Sequence, residues 1–239
     1  MGVTAMERGL SILDAFLGEG GSRGLAELAR ATLLPKPTIL RSLASMERMG
    51  YVVRLPDRRY KLGARLLQLG DAYRARFRLD DHVLPVLNGV AQSTGESASL
   101  HVRERDRRLI LFRIEGPQLV RDVQPAHPQL LPLDETSMGQ VLSRSDWAEE
   151  CARGQARVYF SAGIHNPLTA SLSTAVYGLE GRLVGALALS GPVDRLGTAD
   201  LAILGKQLLD AARGLSRKLG ALPVPGSEFP EIIRPNGKG

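Results

Sequence analysis

Two prolines split an otherwise helical stretch between Leu25 and Met49, and this break most constrains what the chain can fold into. Leu28 and Ala29 give its first part, Leu25 to Ala31, an apolar stripe at helical spacing. Pro35 interrupts, because proline lacks the N–H that a helix interior needs. Pro37 suits the first turn of a new helix, where that N–H would be unmatched anyway. The new helix runs to Met49 and stops at Gly50, a residue type common just beyond a helix C-terminus. Ahead of both, Met6, Leu10, Leu13 and Leu17 recur at helical spacing with Thr4 as N-cap, which predicts a helix over 4–17. The glycine-rich stretch from Gly18 to Gly24 follows no strand and does not fit GxGxxG, so it reads as a flexible turn rather than a phosphate loop.

The third helix has two faces. Ile39, Leu43 and Met46 form a stripe that must pack on the first two helices, while Thr38, Arg41, Ser45 and Arg48 share another face. Lys36 and Ser42 join that polar set near the helix start. Arginine can reach guanine edges with two hydrogen bonds, and threonine, serine and lysine can hold phosphates. A polar outer face is also what any surface helix shows, so the hairpin that follows matters. Tyr51 to Arg54 is a strand, Leu55 to Arg59 a turn, and Tyr60 to Leu62 a returning strand. Three short helices and a basic-tipped hairpin describe a winged helix-turn-helix over residues 1–63. Lys36, Thr38, Arg41, Ser42 and Ser45 would face double-stranded DNA, with Arg58 and Arg59 on the wing.

The charge distribution agrees. Residues 1–78 hold 12 Arg and 2 Lys against 7 Asp or Glu, a balance of +7, whereas residues 79–239 hold 17 basic and 18 acidic groups, a balance of −1. The positive excess of the chain therefore lies in its first third, as expected of a polyanion-binding module joined to a near-neutral partner.

Residues 64–78 read as a connector helix through Leu66, Leu67, Gly70 and Tyr73, a stripe that can pair across a two-fold axis. From 79 to 220 helix and strand alternate. Leu79 to Thr94 is helical with Pro85 early in it; Ser97 to Val102 and Leu109 to Ile114 are strands around a charged turn, Arg103 to Arg108. Asp134 to Ser143 and Asp146 to Arg153 are short helices, and Ser171 to Tyr177 and Arg182 to Leu189 are strands around Gly178 to Gly181. Leu201, Leu204, Leu208, Leu215 and Leu219 mark a closing helix. Residues 221–239, with four prolines and three glycines, read as a flexible tail.

These segments resemble the IclR-type bacterial transcription regulators. Leu25 to Arg30, Leu34 to Arg41, Leu43 to Tyr51 and Tyr60 to Gly63 look like that family's N-terminal signature. Thr94 to Leu100 and Leu183 to Pro192 resemble passages of its effector domain, so the likeness spans Ala5 to Gly220. It implies an α+β protein: a winged helix-turn-helix, a connector, and a C-terminal α/β effector domain with an antiparallel sheet flanked by helices. It also implies a homodimer or homotetramer and a small organic effector. Regulation would be of a catabolic or transport operon, more often by repression. The resemblance places the effector near Met138, Gly139, Ser161, Ala170, Ser171 and Ser190. Several residues depart from the family pattern. Leu33 stands where glycine is common, Pro37 for a frequent serine, Gln140 for lysine, Ser161 for an acidic group and Ala188 for serine; the stretch from Ser143 to Tyr159 is short. A pocket with Ser161 and Gln140 in those places favours a neutral ligand over a di-acid.

Catalytic signatures are not found. The chain has no GxSxG, HExxH or CxxC, and His82, His101, His127 and His165 lack ligand spacing. No metal and no cofactor are expected, and no catalytic activity. One cysteine, Cys151, fits a reducing compartment, and the 11-residue uncharged run Leu183 to Val193 is far short of the ~20 residues of a membrane span. With no secretory leader visible, a cytoplasmic protein is expected. The alternative function is a small-molecule sensor or enzyme whose basic N-terminal region does not bind specific DNA.

Overall fold

The computed structural model describes residues 3–17, 21–75, 80–122, 130–144, 157–222 and 230–234. The sequence-predicted helix Asp146 to Arg153, Cys151 and His127 lie outside them. The chain falls into two compact units, Met1–Arg78 and Leu79–Gly239.

The N-terminal unit holds α1 (Thr4–Asp14), β1 (Ser22–Arg23), α2 (Leu25–Thr32), α3 (Lys36–Arg48), β2 (Val52–Arg54), β3 (Tyr60–Leu62) and α4 (Ala64–Ala75). Ile12, Phe16, Leu28, Ile39, Leu43, Val52 and Tyr60 make one core, to which α1, α2, α3 and the hairpin contribute. Val3, not Thr4, is the N-cap residue of α1, and no side chain caps that end. The glycine-rich stretch does not end as a turn: Ser22 and Arg23 pair with Lys61 and Tyr60, giving a sheet in the order β1-β3-β2. The strand is held there by Arg59, whose Nε donates to Ser22 Oγ and whose Nη2 donates to Ser22 O.

The C-terminal unit is built on a seven-stranded sheet. Its strands are β4 (Ser97–Glu104), β5 (Arg107–Ile114), β6 (Leu130–Pro132), β7 (Arg157–Ala162), β8 (Thr169–Tyr177), β9 (Leu183–Pro192) and β10 (Glu231–Ile233). The order is β10-β7-β8-β9-β4-β5-β6, antiparallel except for the parallel edge pair β10–β7. The expectation of a loose tail over 221–239 is thus corrected in part, since Glu231–Ile233 extends the sheet. Ile232 packs there over Gly205, a position where any Cβ would come within 2.9 Å of it. The helices are α5 (Asp80–Thr94), α6 (Ser137–Ser143), α7 (Val193–Leu196) and α8 (Leu201–Lys218). α5 and α8 touch each other and cover one face of the sheet, while α6 packs on the other through Val141, Leu142, Tyr159, Ala175 and Ala186. Strand alternation explains the division. Leu172, Leu187, Leu189 and Leu100 lie on one face, and Ser171, Ser190, Ser99 and His101 on the other.

One local conflict stands out. Leu33, which ends α2, has φ 57° and ψ 19° and an 89% exposed side chain. A left-handed backbone costs a non-glycine residue about 1–2 kcal/mol, and here little burial offsets it. Glycine removes that strain but adds freedom to the unfolded chain. Leu33→Gly should therefore stabilise the protein by about 0.5–1 kcal/mol in urea unfolding, and Leu33→Val, with a β-branch, should destabilise it.

Candidate functional site

At 100° per residue, Arg41 and Arg48 of α3 project nearly opposite Ile39, Leu43 and Met46, with Pro37 and Ala44 between them. Lys36, Arg41, Ser45 and Arg48 are exposed, and Thr38 and Ser42 are half-buried on the flank that faces α1. Thr38, Arg41, Ser42 and Ser45 also line a groove of about 600 Å³ with Met6, Leu10 and Met49. Among the described residues, Lys36, Arg41, Arg48 and Arg58 enter no salt bridge, so their charges face outward unneutralised.

The two wing arginines have different partners. Arg58 sits exposed at the tip in a left-handed conformation, φ 66°, after a Leu55-Pro56-Asp57 turn closed by Arg58 N–H on Leu55 O at 3.0 Å. Arg59 turns back instead. Its Nη2 lies 2.9 Å from Glu27 Oε2, in addition to the Ser22 bonds. Glu27 itself accepts from Gly24 N–H at 2.7 Å, closing the start of α2. That backbone bond first, and Arg59 after it, hold the Glu27 carboxyl below its ordinary value. Arg59, which the sequence places on the wing facing DNA, thus fastens β1, α2 and the wing together, with its side chain 37% exposed.

In the C-terminal unit a cavity of about 210 Å³ lies on the sheet face that carries α6. Met138, Ser161, Ala170, Ser171 and Ser190 all line it, so the structure brings five of the six expected residues together. Ser171 Oγ lies 2.8 Å from Ser137 Oγ and 3.0 Å from Ser161 Oγ, and Ser161 Oγ accepts from Ser137 N–H at 2.9 Å. The sixth residue, Gly139, is not in the wall. Its N–H donates to the Thr136 cap, and a Cβ there would lie 2.2 Å from Asp134 O, so its role is to let the chain fold back before α6. Gln140 also lies outside the wall and bonds to Glu135 O.

Sequence reasoning missed the other half of this wall: His101, Arg108, Arg113 and Asp122. The sequence places Arg108 in a charged turn, yet it is 2% exposed. A bulge explains this. Leu100 pairs with Phe112 but His101 pairs with Ile110, leaving Leu111 extra in β5. Each such insertion reverses which face the alternation reaches, so Arg113 and Arg108 end on the same side. Arg108 Nε donates to Pro132 O at 3.1 Å and its Nη1 to His101 Nδ1 at 3.2 Å. Arginine can only donate, so His101 Nδ1 is the acceptor and its Nε2–H points to Ser99 Oγ, 2.9 Å away. Arg113 bonds Ser190 Oγ, Glu115 and Asp122. At the mouth His165 meets Asp134 at 2.6 Å. Burial pushes the Asp134 carboxyl up, but hydrogen bonds from Thr136 and His165 outweigh it and leave it below its usual value. Among the described residues no cluster of His, Cys, Asp and Glu is placed to hold a metal ion, and no helix is long and apolar enough to cross a membrane.

Comparison with known proteins settles the family. The profile of the IclR helix-turn-helix domain matches residues 5–56. The glycerol operon regulatory protein of Streptomyces griseus is 30% identical, over 92% of this chain and 97% of its own length. The chain belongs to the IclR family of transcription regulators. Two solved structures share the fold. The IclR protein of Thermotoga maritima has a TM-score of 0.70 at 18% identity, covering 91% of this chain and 99% of its own. An IclR homolog from Microbacterium hydrocarbonoxydans, solved with 4-hydroxybenzoate, has a TM-score of 0.74 at 20% identity, covering 90% and 98%. As an IclR-family regulator, this chain is a DNA-binding α+β protein with an N-terminal helix-turn-helix.

The buried imidazole makes a pH prediction. Burial, followed by the charges of Arg108 and Arg113, holds His101 well below its ordinary 6.5. The unfolded chain takes up that proton below pH about 6.5 while the folded chain does not, so stability falls as pH drops through that value. His101→Gln keeps an acceptor for Arg108 and a donor for Ser99 without the titration. Thermal melts at pH 7.5 and 5.5 should show a larger loss for the parent than for His101→Gln.

Proposed function

We propose that this chain is a ligand-responsive operator-binding regulator of a catabolic or transport operon. Its α3 enters the major groove through Lys36, Thr38, Arg41, Ser42 and Ser45, and Arg58 touches the DNA backbone from the wing. The observation that carries this reading is the outward strip of α3, where Arg41 and Arg48 have no ion pair among the described residues while Arg59, one residue from the wing tip, has one. Met138, Ser161, Ala170, Ser171 and Ser190 make the effector site, and the 4-hydroxybenzoate complex of a protein with the same fold supports a small molecule there. Such a regulator acts on the bacterial chromosome, hence in the cytoplasm.

The geometry speaks against the enzyme alternative. The buried imidazole–hydroxyl pair, Ser99 and His101, has its Nε2–H pointing at the serine, and its Nδ1 faces a guanidinium rather than a carboxylate. That is the reverse of an activated serine, whose base must accept the hydroxyl proton.

A homodimer, alone or paired into a tetramer, gives two half-sites the specificity one small winged helix lacks. α4 suits that role, because Leu67 and Leu69 are 65% and 47% exposed. Light scattering at micromolar concentration should show at least a dimer, and a monomer both with and without operator would refute it.

Fluorescence anisotropy on the DNA upstream of the protein's own operon tests the DNA contacts. Arg41→Ala should lose about 1–3 kcal/mol at the preferred site and little on unrelated DNA. Arg58→Gly should weaken binding to all sequences and lower the salt slope by about 1, while the relieved backbone keeps the fold at least as stable. If both variants bind like the parent at matched salt, α3 and the wing are not the DNA surface.

A further inference from the structure

We propose that the groove between α2 and the wing holds the sugar–phosphate backbone of one DNA strand, gripped by Arg30 and Arg54. The inference rests on the reading of α3 as the helix that enters the major groove, and it adds a second contact surface beside that helix.

The geometry of α3 sets where this surface lies. At 100° per residue, Leu40 projects on one flank of the strip formed by Arg41 and Arg48, and Thr38 and Ser42 project on the other. The two flanks differ in chemistry. Thr38 and Ser42 border the groove that also holds Met6, Leu10 and Met49. Leu40, 44% exposed, instead borders a groove of about 500 Å³ walled by α2 and the wing. Arg30 of α2, Arg54 of β2 and Arg58 at the wing tip line it. The major groove is about 12 Å wide, so a helix lying in it has a sugar–phosphate backbone along each flank. On the Leu40 flank that backbone meets cations.

These cations are not neutralised within the unit. Arg59 and Glu27, which share the groove, match each other at 2.9 Å. That leaves Arg30, Arg54 and Arg58 against one further carboxylate, Asp57, whose Oδ1 accepts from the Arg59 backbone N–H at 3.0 Å. The side chains of Arg30 and Arg54 are exposed and enter no ion pair or hydrogen bond among the described residues. Arg54 is nevertheless held in place. Its guanidinium carbon lies 5.9 Å from the centroid of the Tyr60 ring, and Tyr60 belongs to the core. An aromatic face steadies a cation without cancelling its charge or occupying its N–H donors.

The frame around the two arginines is fixed. Arg59 bonds both Glu27 of α2 and Ser22 of β1, so the wing cannot swing away from α2. Leu25 and Leu40 add apolar surface between the cations. A chain of apolar sugars carrying one negative charge per phosphate matches that mixture. An acidic peptide would match the charge as well, but continuity with the outward strip of α3 favours the backbone of the same duplex.

The test uses the full-length protein and fluorescence anisotropy at several salt concentrations, on operator DNA and on an unrelated duplex of equal length. Arg30→Ala and Arg54→Ala should each weaken binding to both about eightfold at 0.1 M salt and lower the salt slope by about 0.9, the counterion release of one phosphate contact. The ratio between the two DNAs should stay unchanged, whereas Arg41→Ala lowers it. Arg54→Lys should keep the slope, because the charge remains. Arg182→Ala, at an exposed arginine of the C-terminal unit, makes the same change in net charge and should leave binding as it is. An equal loss in Arg182→Ala overturns the inference, as does a loss in Arg30→Ala and Arg54→Ala confined to the operator, which would mean base reading. Poly-glutamate that binds the parent and not these two variants, while their DNA binding is unchanged, makes an acidic protein the occupant and overturns the backbone. If both variants bind like the parent while Arg41→Ala and Arg58→Gly lose affinity, the inference fails and the reading of α3 stands. If all four bind like the parent, that reading fails with it.

Discussion

The C-terminal unit depends on how closely β9 and β4 approach. A Cβ at Gly185 would lie 2.4 Å from the His101 carbonyl oxygen, and one at Gly191 would lie 2.1 Å from Glu96 Oε2. A side chain at position 185 would push β4 away, and one at 191 would displace the Glu96 carboxylate. With both strands in place, Ser190, Ala188 and Ala186 stand opposite Ser97, Ser99 and His101, which brings the polar side chains of two strands to one face. The same approach seats the Glu96 carboxylate, 4% exposed, where Arg195 meets it with bonds of 2.7 and 2.9 Å. A buried carboxylate without that partner would be strongly unfavourable. Backbone spacing and a buried ion pair thus fix the wall from which Arg108 and His101 reach the cavity.

Arginine does three different jobs in this chain, and burial and partners distinguish them. Arg59, Arg113 and Arg195 are paired with carboxylates and act as fasteners between elements. Arg41, Arg48 and Arg58 are exposed and have no ion pair among the described residues, which costs little in water and leaves their charge available to a polyanion. Arg108 alone combines burial with the lack of a carboxylate among the described residues. The N-terminal excess of +7 is therefore not uniform: Arg59 is matched inside the unit, while Lys36, Arg41, Arg48 and Arg58 stand exposed on α3 and the wing tip.

The amphipathic helices were legible in the sequence because helical spacing of Leu28, Ile39, Leu43, Leu208 and Leu215 survives any detail of tertiary packing. The hairpin was legible because Pro56-Asp57 sits between two short alternating runs. β1 was not, since a two-residue strand next to glycines carries no period and exists only through its partner β3 and Arg59. β10 was masked by the prolines and glycines around it, although Ile232 and Ile233 meet an edge that can accept them. For the candidate sites, the hydroxyl-bearing strand ends were visible and brought Ser161, Ser171 and Ser190 together. Arg108 was hidden for two reasons: charged residues are rarely buried by default, and one extra residue at Leu111 reverses the alternation that would have placed it.

Backbone strain in the N-terminal unit is concentrated around α3. Leu33 lies just before the helix and Arg58 at the tip of the wing beside it, both left-handed at φ 57° and 66°. Glycine would relieve either, and the unit has only a few kcal/mol of net stability from which to offset about 1–2 kcal/mol at each position. Neither side chain returns that cost among the described residues, where Arg58 makes no ion pair and Leu33 is 89% exposed. Strain kept at two turns without internal compensation is the kind found where side chains act on something outside the chain. The two cases differ in kind. The exposed cation of Arg58 suits a polyanion through charge alone, whereas Leu33 at the entrance to α3 offers only apolar surface. The likeness to the IclR pattern, with glycine common at the Leu33 position, therefore carries over in backbone shape but not in the side chain.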